Sequence, residues 1–511
     1  LITLAIALIN YINLATARAM DRAKEVGIRK VVGARRGQLT AQFVVEAALM
    51  NLAALLMAVV LAASVTPLVN RLAGTQLSMA TWGSALFLFF GLFAAGVLLS
   101  GPYPAFVLSS YKPVGMLKGK LTTSRAGIRK GLVVLQFSAS IVLLIGTGVI
   151  YAQLDFMRRM DVGLDLEHVL VVTSPRILPE NVPGAAAEHS FRDVVSKLPA
   201  VKGGSFAGNV AGHGFLVSAP ARLASADESS TAELGVTGID HHFSEVYGID
   251  LVAGRPFEEG MPNWFFGSPD SPRPVLINEA AVRQLGLPGN EAAIDQIIAM
   301  DQIRYVVQGV LKDFNWSSAH RPVEPVLFRY NASNRYLSLR VSSADLPGTM
   351  ASIRNTYESK FPGNPFEYTF ADAAFAEQYR KDEQFATLFG ALAGLAILIA
   401  SLGLFGLASF TAVQRRKEIG VRKVLGASVR SIVGLLSREF LLLIGGALLV
   451  ATPVAYFVLG RWLENFAYHI ALGPGLFLLG GVVAFAIGLA TVSHQAMRAA
   501  LTDPVRSLRN E

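Results

Sequence analysis

Cysteine is absent from this sequence of 511 residues. The chain therefore has no disulfide, no thiolate zinc site and no cysteine nucleophile, although this absence leaves its compartment undecided. Charged residues are scarce as well, at 16% against about a quarter in soluble globular proteins. The hydrophobic share is 52%, and it is concentrated in long uncharged blocks. These blocks are typical of an integral membrane protein.

Three catalytic signatures are also missing. The sequence contains no G-x-x-x-x-G-K-[ST] phosphate loop, no H-E-x-x-H zinc motif and no G-x-S-x-G nucleophile elbow. The centres of the apolar blocks contain no acids or bases, which argues against a proton- or sodium-coupled carrier. From the missing catalytic signatures we expect that the chain is not an enzyme and has no catalytic residue, bound metal or cofactor of its own.

Charge is distributed unevenly. Residues 155–383 contain 29 acidic and 20 basic residues, whereas the rest of the chain contains 8 acidic and 25 basic residues. A nucleic-acid-binding protein would be expected to show its basic patch on a soluble domain. Here the basic residues flank apolar blocks and the soluble region is acidic, so we expect no nucleic-acid partner.

Seven uncharged stretches are candidate membrane helices, each of which needs about 20 residues to cross the bilayer. They are 1–17, 47–70, 72–111 (spanning about 82–108), 131–154, 384–414, 440–460 and 465–497. The loops 18–42, 109–130, 415–438 and 498–511 together hold 23 basic residues. The positive-inside rule therefore predicts that these loops and the C-terminus are cytoplasmic and that residues 155–383 are outside. The start would then be outside too, so we expect at least one helix before Leu1.

One basic motif occurs twice, as RAKEVGIRKVVGA (22–34) and RRKEIGVRKVLGA (415–427), here called the first and second basic motifs. They align without a gap at an offset of 393, with nine of thirteen positions identical. Glu46 and Glu439 correspond at the same offset, and YKPVGMLKG (111–119) resembles TDPVRSLRN (502–510). The sequence therefore predicts two repeated three-helix units, a common plan in transporter-like membrane proteins.

Each basic motif has the features of a short helix. Glutamate precedes arginine at i,i+4 spacing in Glu25–Arg29 and Glu418–Arg422, and a C-cap glycine follows at Gly33 and Gly426. Ser428 can cap the helix that comes next. One interpretation is that these charges only fix the topology. Because that role does not require the same ordered motif twice, we favour a specific cytoplasmic contact that is made twice.

The basic motif after a membrane helix resembles the FtsX-like/MacB-like family of ABC transporter permeases. The resemblance includes RKGLVVLQFSASIVLLIGTGVIY (129–151) and VVQGVLKDFNWSSAHRPVEPVLF (306–328), and it covers essentially the whole chain. It implies an α-helical integral membrane protein with an α/β extracytoplasmic domain of the MacB periplasmic core type. The divisions would be a first FtsX-like membrane unit (1–119), a helix leading outward (120–154), the extracytoplasmic domain (155–383) and a second FtsX-like membrane unit (384–511). The first helix and first external domain of the family plan would precede this chain.

The resemblance further implies that two cytoplasmic ABC ATPase subunits, which would carry the ATP and Mg²⁺, meet the two basic motifs. The matching positions are expected at or beside that contact. They are Lys24, Glu25, Gly27, Arg29, Lys30 and Gly33 in the first motif and Lys417, Glu418, Gly420, Arg422, Lys423 and Gly426 in the second. The expected location is the bacterial inner membrane, with the lipid bilayer and a periplasmic protein as further partners.

Within residues 155–383 the pattern changes to mixed α/β. The stretches 168–174 and 304–311 are rich in β-branched residues and predict strands. Residues 185–198 predict an amphipathic helix with Phe191, Val194, Val195 and Leu198 on one face, and 350–361 predict a second helix.

Two functions remain open at this stage. The first is an ABC permease that couples ATP hydrolysis on a separate subunit to movement of its external domain, for efflux of a drug, peptide or lipoprotein, or for signalling. The second is an ATP-independent membrane receptor or scaffold with a ligand-binding external domain. The second leaves the duplicated basic motif unexplained.

Overall fold

The structure is a computed structural model of the chain. It describes residues 2–21, 28–29, 32–76, 87, 91, 93–94, 126–178, 184–214, 217–263, 271–300, 303–331 and 335–501. The chain forms two compact units. The helical unit comprises residues 1–153, 382–463 and 470–511, and the external unit comprises residues 154–381 and 464–469.

The described residues form the following helices. They are α1 (Ile2–Asp21), α2 (Arg36–Ala73), α3 (Ala126–Arg159), α4 (Gly184–Val195), α5 (Phe243–Tyr247), α6 (Glu279–Gln284), α7 (Asn290–Ala293), α8 (Leu346–Lys360), α9 (Ala371–Glu377), α10 (Arg380–Gln414), α11 (Arg416–Val424), α12 (Val429–Leu463) and α13 (Pro474–Leu501).

Strands occur only in the external unit among these residues. They are β1 (Val169–Thr173), β2 (Val201–Ala207), β3 (Val217–Leu223), β4 (Ala232–Ile239), β5 (Leu251–Gly254), β6 (Arg273–Asn278), β7 (Ile297–Met300), β8 (Ile303–Leu311), β9 (Val326–Tyr330), β10 (Tyr336–Val341) and β11 (Tyr368–Phe370).

Five described helices are apolar enough and long enough to cross a membrane. They cover Gly37–Leu72, Lys130–Arg159, Arg380–Gln414, Val429–Leu463 and Pro474–Arg498. Five of the seven predicted spans therefore correspond to helices of membrane-spanning length and composition. The first predicted span falls on α1, whose apolar stretch is the shorter Ile2–Tyr11. The predicted span at about 82–108 lies almost entirely outside the described residues.

The last predicted span, 465–497, begins too early. Residues 464–469 belong to the external unit, and α13 begins only at Pro474. The side chain of Phe466 is buried within the external unit, so its apolar character reflects packing there rather than contact with lipid. Pro474 occupies the first helical position, where its missing N–H and fixed φ favour a helix start.

The core of the helical unit is formed where α3 packs against α10, α12 and α13. Residues on one face of α3, four apart, contribute large side chains: Val133, Phe137, Ile141, Ile145 and Val149 are all at most 5% exposed. The opposing face of α12 is lined by alanine, as at Ala447, Ala451 and Ala455. Small residues let membrane helices approach closely, and Ser138 then donates a hydrogen bond across the interface to the carbonyl of Ala447 at 3.0 Å.

The external unit contains a closed barrel and a flanking sheet. Strand pairings run β4–β3–β7–β8–β6–β9, and β9 pairs in parallel with β4 to close the ring. Beyond β4 the sheet continues through β2, β10, β1 and β11. Each part has a separate core, one inside the barrel and one beneath α4 and α8. A single residue pair, Ala207 with Ile239, joins the two parts through β2 and β4.

The strand and helix predictions for this unit agree with β1, β8, α4 and α8. One predicted core residue is wrong. Val194 is 41% exposed, whereas Phe191 and Val195 are buried. Arg192 is buried in its place, because its guanidinium forms ion pairs with Asp193 and with the fully buried Asp240.

Candidate functional site: the two basic motifs

The second basic motif is described almost completely, and the first only in part. Lys24, Glu25, Gly27 and Lys30 lie outside the described residues, while Arg29 and Gly33 lie within them. In the second motif Lys417, Glu418, Gly420, Arg422 and Lys423 all lie in α11, and Gly426 follows it. Five of the six second-motif residues are therefore brought together on one short helix.

Helix α11 is stabilised locally by the pair that the sequence predicts. Arg422 Nη2 lies 2.7 Å from Glu418 Oε1, at i,i+4 spacing with the acid first. The helix continues almost directly from α10, because the amide of Arg415 donates to the carbonyl of Thr411 at 3.0 Å and the amide of Ile419 donates to the carbonyl of Arg415 at 2.9 Å. Such an exposed pair contributes only about 0.3–0.5 kcal/mol. Tertiary packing must hold α11 in place.

Gly426 ends α11 in a left-handed conformation with φ +90°. Its amide donates to the carbonyl of Lys423 at 3.1 Å, and the amide of Ala427 donates to that of Arg422 at 2.9 Å. These two bonds form a Schellman cap, which requires a positive φ and so favours glycine. Ser428 then accepts a hydrogen bond from the amide of Ser431 at 3.3 Å and caps α12, as predicted.

The described part of the first basic motif has the same cap. Gly33 has φ +102°, and the amide of Ala34 donates to the carbonyl of Arg29 at 2.9 Å. These are the positions of Gly426, Ala427 and Arg422 at the offset of 393. The side chain of Arg29 differs from that of Arg422, since it donates to Gln42 Oε1 at 2.8 Å.

Both motifs also expose aliphatic side chains at equivalent positions, which the sequence pattern had not indicated as candidate site residues. Ile28 is 56% exposed and its counterpart Val421 is 50% exposed. Val32 is 82% exposed and its counterpart Leu425 is 80% exposed. The signal was present in the alignment, where these positions differ but stay aliphatic. Beside exposed basic residues, aliphatic groups of this kind suit a protein interface better than contact with water.

The opposite side of α11 is anchored within the helical unit. Ile419 is 5% exposed and packs with Ile432 and Leu436 of α12 and Ala496 of α13. Helix α11 therefore has an apolar side that fixes it to the membrane helices. A second apolar edge, formed by Val421 and by Leu425 just after the helix, faces outward.

Glu439 connects the second basic motif to two membrane helices. Its carboxylate lies 3.0 Å from Arg415 Nη2, at the junction of α10 and α11, and 2.8 Å from Lys130 Nζ, near the start of α3. The side chain is about one-third exposed, so these pairs form in a partly desolvated place. The carboxylate thus joins α11 to both α12 and α3.

In the external unit, residues 464–469 have their own attachment. The amide of Ala467 donates to the carbonyl of His320 at 3.1 Å, and the rings of Phe466 and His320 lie 5.1 Å apart. His320 also stacks on Tyr379 at 5.8 Å, and the Tyr379 hydroxyl accepts a hydrogen bond from the amide of Ala319. Because the chain runs from α12 into this loop and on into α13, the loop is a covalent link between the external unit and both helices.

Apolar helices of membrane-spanning length, a barrel-containing α/β unit and a paired motif that joins several helix ends define a multi-pass membrane protein. The profile described as FtsX-like permease C-terminal matches residues 1–113 and 390–504, and that described as MacB-like periplasmic core domain matches residues 132–355. The chain belongs to the FtsX-like/MacB-like family of ABC transporter permeases.

Several curated proteins are similar in sequence. Macrolide export ATP-binding/permease protein MacB 2 of Aeromonas hydrophila is 24% identical over 314 residues, which cover 58% of this chain and 46% of that protein. Pyoverdine export ATP-binding/permease protein PvdT of Pseudomonas putida is 24% identical over 55% of this chain and 44% of its own. The ABC transporter permease YvrN of Bacillus subtilis is 26% identical over 54% of this chain and 70% of its own. The chain thus spans about half the length of the first two relatives.

Among solved structures, the periplasmic region of MacB from Actinobacillus actinomycetemcomitans covers 41% of this chain and 92% of that chain. The sequence identity is 13% and the TM-score is 0.28.

Proposed function

We propose that this chain is the membrane subunit of an ABC transporter in which separate cytoplasmic ATPase subunits bind the two basic motifs. ATP and Mg²⁺ would bind those subunits and not this chain. Closure of the ATPase pair would move the basic motifs, and the membrane helices would carry that movement to the external unit. Such coupling requires an element with two arrangements that nucleotide binding biases.

The observation that carries this proposal is the matched exposure of aliphatic residues at both motifs. Val32 and Leu425 are each at least 80% exposed, and each lies directly before the glycine of a cap with positive φ. A motif that only fixed topology would need basic residues alone. An exposed aliphatic residue next to basic residues instead suits an interface with an apolar core and a polar rim.

The inner part of the proposed route runs through Glu439. A displacement of α11 would act on Arg415, and the shared carboxylate would pass it to Lys130 on α3. Helix α3 continues without a break to Arg159, and α10 is unbroken over 35 residues. Continuous helices are stiff over such lengths, so they suit the transmission of a displacement.

The outer part of the proposed route includes the loop 464–469. Movement of α12 or α13 would pull on Phe466 and Ala467, which are bound to the His320 region of the external unit. Two further connections, α3 and α10, enter the same unit along the chain. We propose that these links together convert the ATPase cycle into a rearrangement of the external unit.

We base a proposal for the class of substrate on the names of the similar proteins. Two of them are described as exporters, of macrolides and of pyoverdine. We propose that this protein acts in the efflux of a comparable molecule, or of a peptide or lipoprotein, from an inner membrane, with its C-terminus in the cytoplasm.

The test uses the absence of cysteine from the chain. Single cysteines would replace Val32 or Leu425 in the full-length protein, and a thiol-linked photo-crosslinker would be activated in native membranes. A matched control would carry its cysteine at Val217, which is 56% exposed in the external unit. Mass spectrometry would identify the captured proteins.

Capture of a protein with a G-x-x-x-x-G-K-[ST] motif at both Val32 and Leu425, but not at Val217, would support the proposal. If no ATPase is captured at either motif in membranes that contain one, the alternative of an ATP-independent receptor or scaffold replaces it.

A further inference from the structure

An open groove runs along the outer face of the pair α12 and α13. It has a volume of about 1140 Å³ and an apolar floor that includes Leu441, Leu442, Gly445, Leu449 and Phe485. This volume is above the 300–1,000 Å³ typical of small-molecule sites. Leu442 and Leu449 are 67% and 79% exposed, so the groove is open along its length.

Two arginines line one end of this groove. Arg430 and Arg438 lie in the first three turns of α12, and both are exposed. Within the part of the chain that the structure describes, neither guanidinium has a hydrogen bond or an ion pair. This contrasts with Arg415 and Arg422 nearby, each of which is paired with a glutamate.

The dimensions of the groove match one bilayer leaflet. From Arg438 to Leu449 is eleven residues of α12, or about 16 Å at roughly 1.5 Å per residue. Half of a hydrocarbon core of about 30 Å is close to that length. The positive-inside rule places the arginine end at the cytoplasmic surface, so the apolar part extends through the inner leaflet.

We propose that this groove binds an anionic phospholipid of the inner leaflet. Arg430 and Arg438 bind its headgroup phosphate, and one acyl chain lies against Gly445 and Phe485. Basic sites between membrane helices at the cytoplasmic side favour anionic headgroups in this way. The lipid would occupy the same end of α12 that Ile432 and Leu436 connect to Ile419 of α11, so it would support the base of the second basic motif.

A second groove on the same two helices provides an internal comparison. It is lined by Leu448, Thr452, Pro453, Tyr456 and Phe457 of α12, together with residues of α13, and has a volume of about 780 Å³. None of the described residues that line it is a lysine or an arginine. This second groove therefore offers apolar contact without basic residues for a headgroup, and we expect no preference for anionic lipid there.

The test measures lipid binding to the purified protein. Native mass spectrometry in detergent would give the affinities for added phosphatidylglycerol and phosphatidylcholine of equal chain length. The double variant R430Q/R438Q is expected to bind phosphatidylglycerol about 30-fold more weakly than the wild type, as for two basic residues at a lipid headgroup. R430K/R438K keeps both charges and is expected to retain most of the preference.

Two more variants separate charge from shape and from loss of folding. Gly445→Leu fills the groove without altering charge. The helix packing should tolerate it, because a Cβ at this position lies 3.8 Å from the Phe485 ring, in ordinary contact. It is expected to reduce binding of both lipids there. Arg158→Gln/Arg159→Gln removes two charges outside the groove and is expected to leave the preference unchanged.

A wild type that binds both lipids equally, or a preference that persists in R430Q/R438Q, would overturn the proposal. So would a cysteine at Leu442 that forms a disulfide with the same position in a second copy in membranes, because a protein would then occupy the groove.

Discussion

Lys130 Nζ lies 2.8 Å from Glu439 Oε1, so a charge pair joins the start of α3 to α12. The other oxygen of Glu439 pairs with Arg415. Since α3 continues along the chain into the external unit, this carboxylate connects the motif to a helix that both units share.

We predict that Glu439→Gln uncouples the permease from its ATPase without preventing their association. Loss of partly exposed ion pairs changes the free energy of unfolding by about 1 kcal/mol or less, so the protein should still fold. The expected result is a normal amount of ATPase in a pull-down, together with a several-fold loss of substrate-stimulated ATP hydrolysis in proteoliposomes. Asp155→Asn, which breaks the exposed pair with Arg159, is the control and should leave both readouts unchanged. An unaltered stimulation in Glu439→Gln would contradict the proposed route.

The exposed aliphatic residues of the two motifs should determine ATPase binding. Replacing Val32 or Leu425 by aspartate places a charge where the proposed interface buries an aliphatic group, and such central positions carry at least about 2 kcal/mol of binding free energy. We expect each single variant to weaken ATPase binding about 30-fold, as measured by microscale thermophoresis. Val217→Asp, at a position that is 56% exposed in the external unit, should bind normally. Normal binding by both motif variants would mean that the ATPase docks elsewhere.

Two glycine substitutions should have opposite effects on stability. Gly426 has φ +90°, so alanine there strains the Schellman cap by about 1 kcal/mol even though no atom lies within 4 Å of the added Cβ. Gly37 lies within α2 with equally free space, and alanine there should stabilise the helix by up to about 1 kcal/mol. Thermal unfolding should therefore show a lower Tm for Gly426→Ala and an unchanged or higher Tm for Gly37→Ala. A Tm that rises for both would show that the cap is not under conformational constraint.

The basic motifs show how far the sequence alone could lead. The Glu418–Arg422 pair and the caps at Gly33 and Gly426 follow from spacing and local backbone chemistry, so they could be predicted. The partners of Glu439 could not, because Lys130 and Arg415 meet it only after three helices pack together. The exposure of Val32 and Leu425 could not be predicted either, because an aliphatic residue beside a membrane helix is usually expected to be buried.

The errors in the external unit have the same origin. Periodicity assigned Val194 to the core, but Arg192 is buried instead because Asp240, distant in sequence, supplies a counter-charge. The closing of the barrel by β4 and β9 also depends on contacts between strands that are far apart in the chain. Local patterns specify elements, whereas such long-range pairings depend on the whole fold.

The external unit should lose stability in acid through Glu279. Burial favours a raised pKa for this carboxyl group, but the pKa is lowered overall by hydrogen bonds from Asn290 Nδ2 and the amide of Asp313, and by nearby Arg283 and Lys312. A group whose pKa is lower in the folded state stabilises the fold above its unfolded pKa of roughly 4.3, and that stabilisation is lost as the pH falls through the folded value.

We therefore expect Glu279→Gln to lower the Tm at pH 7 and to have a progressively smaller effect as the pH is lowered below about 4. The loss at neutral pH should be about 1 kcal/mol, the usual value of such hydrogen bonds. Glu291→Gln, an exposed substitution on α7, is the control for the change in net charge. A difference between Glu279→Gln and the wild type that stays constant down to pH 3 would contradict this account.

Phe466 provides the test of the outer coupling route. Its ring is buried in the external unit against His320, so Phe466→Ala should release the loop 464–469 at a cost of about 3 kcal/mol to its attachment. Hydrogen exchange at the amide of Ala467, which is bonded to the His320 carbonyl, should then become at least tenfold faster, while amides inside the barrel keep their protection. Glu464→Ala, an exposed change in the same loop, should leave that exchange rate unaltered. If Phe466→Ala speeds exchange but leaves substrate-stimulated ATP hydrolysis at the wild-type level, the loop is an anchor only, and α3 and α10 alone must carry the coupling.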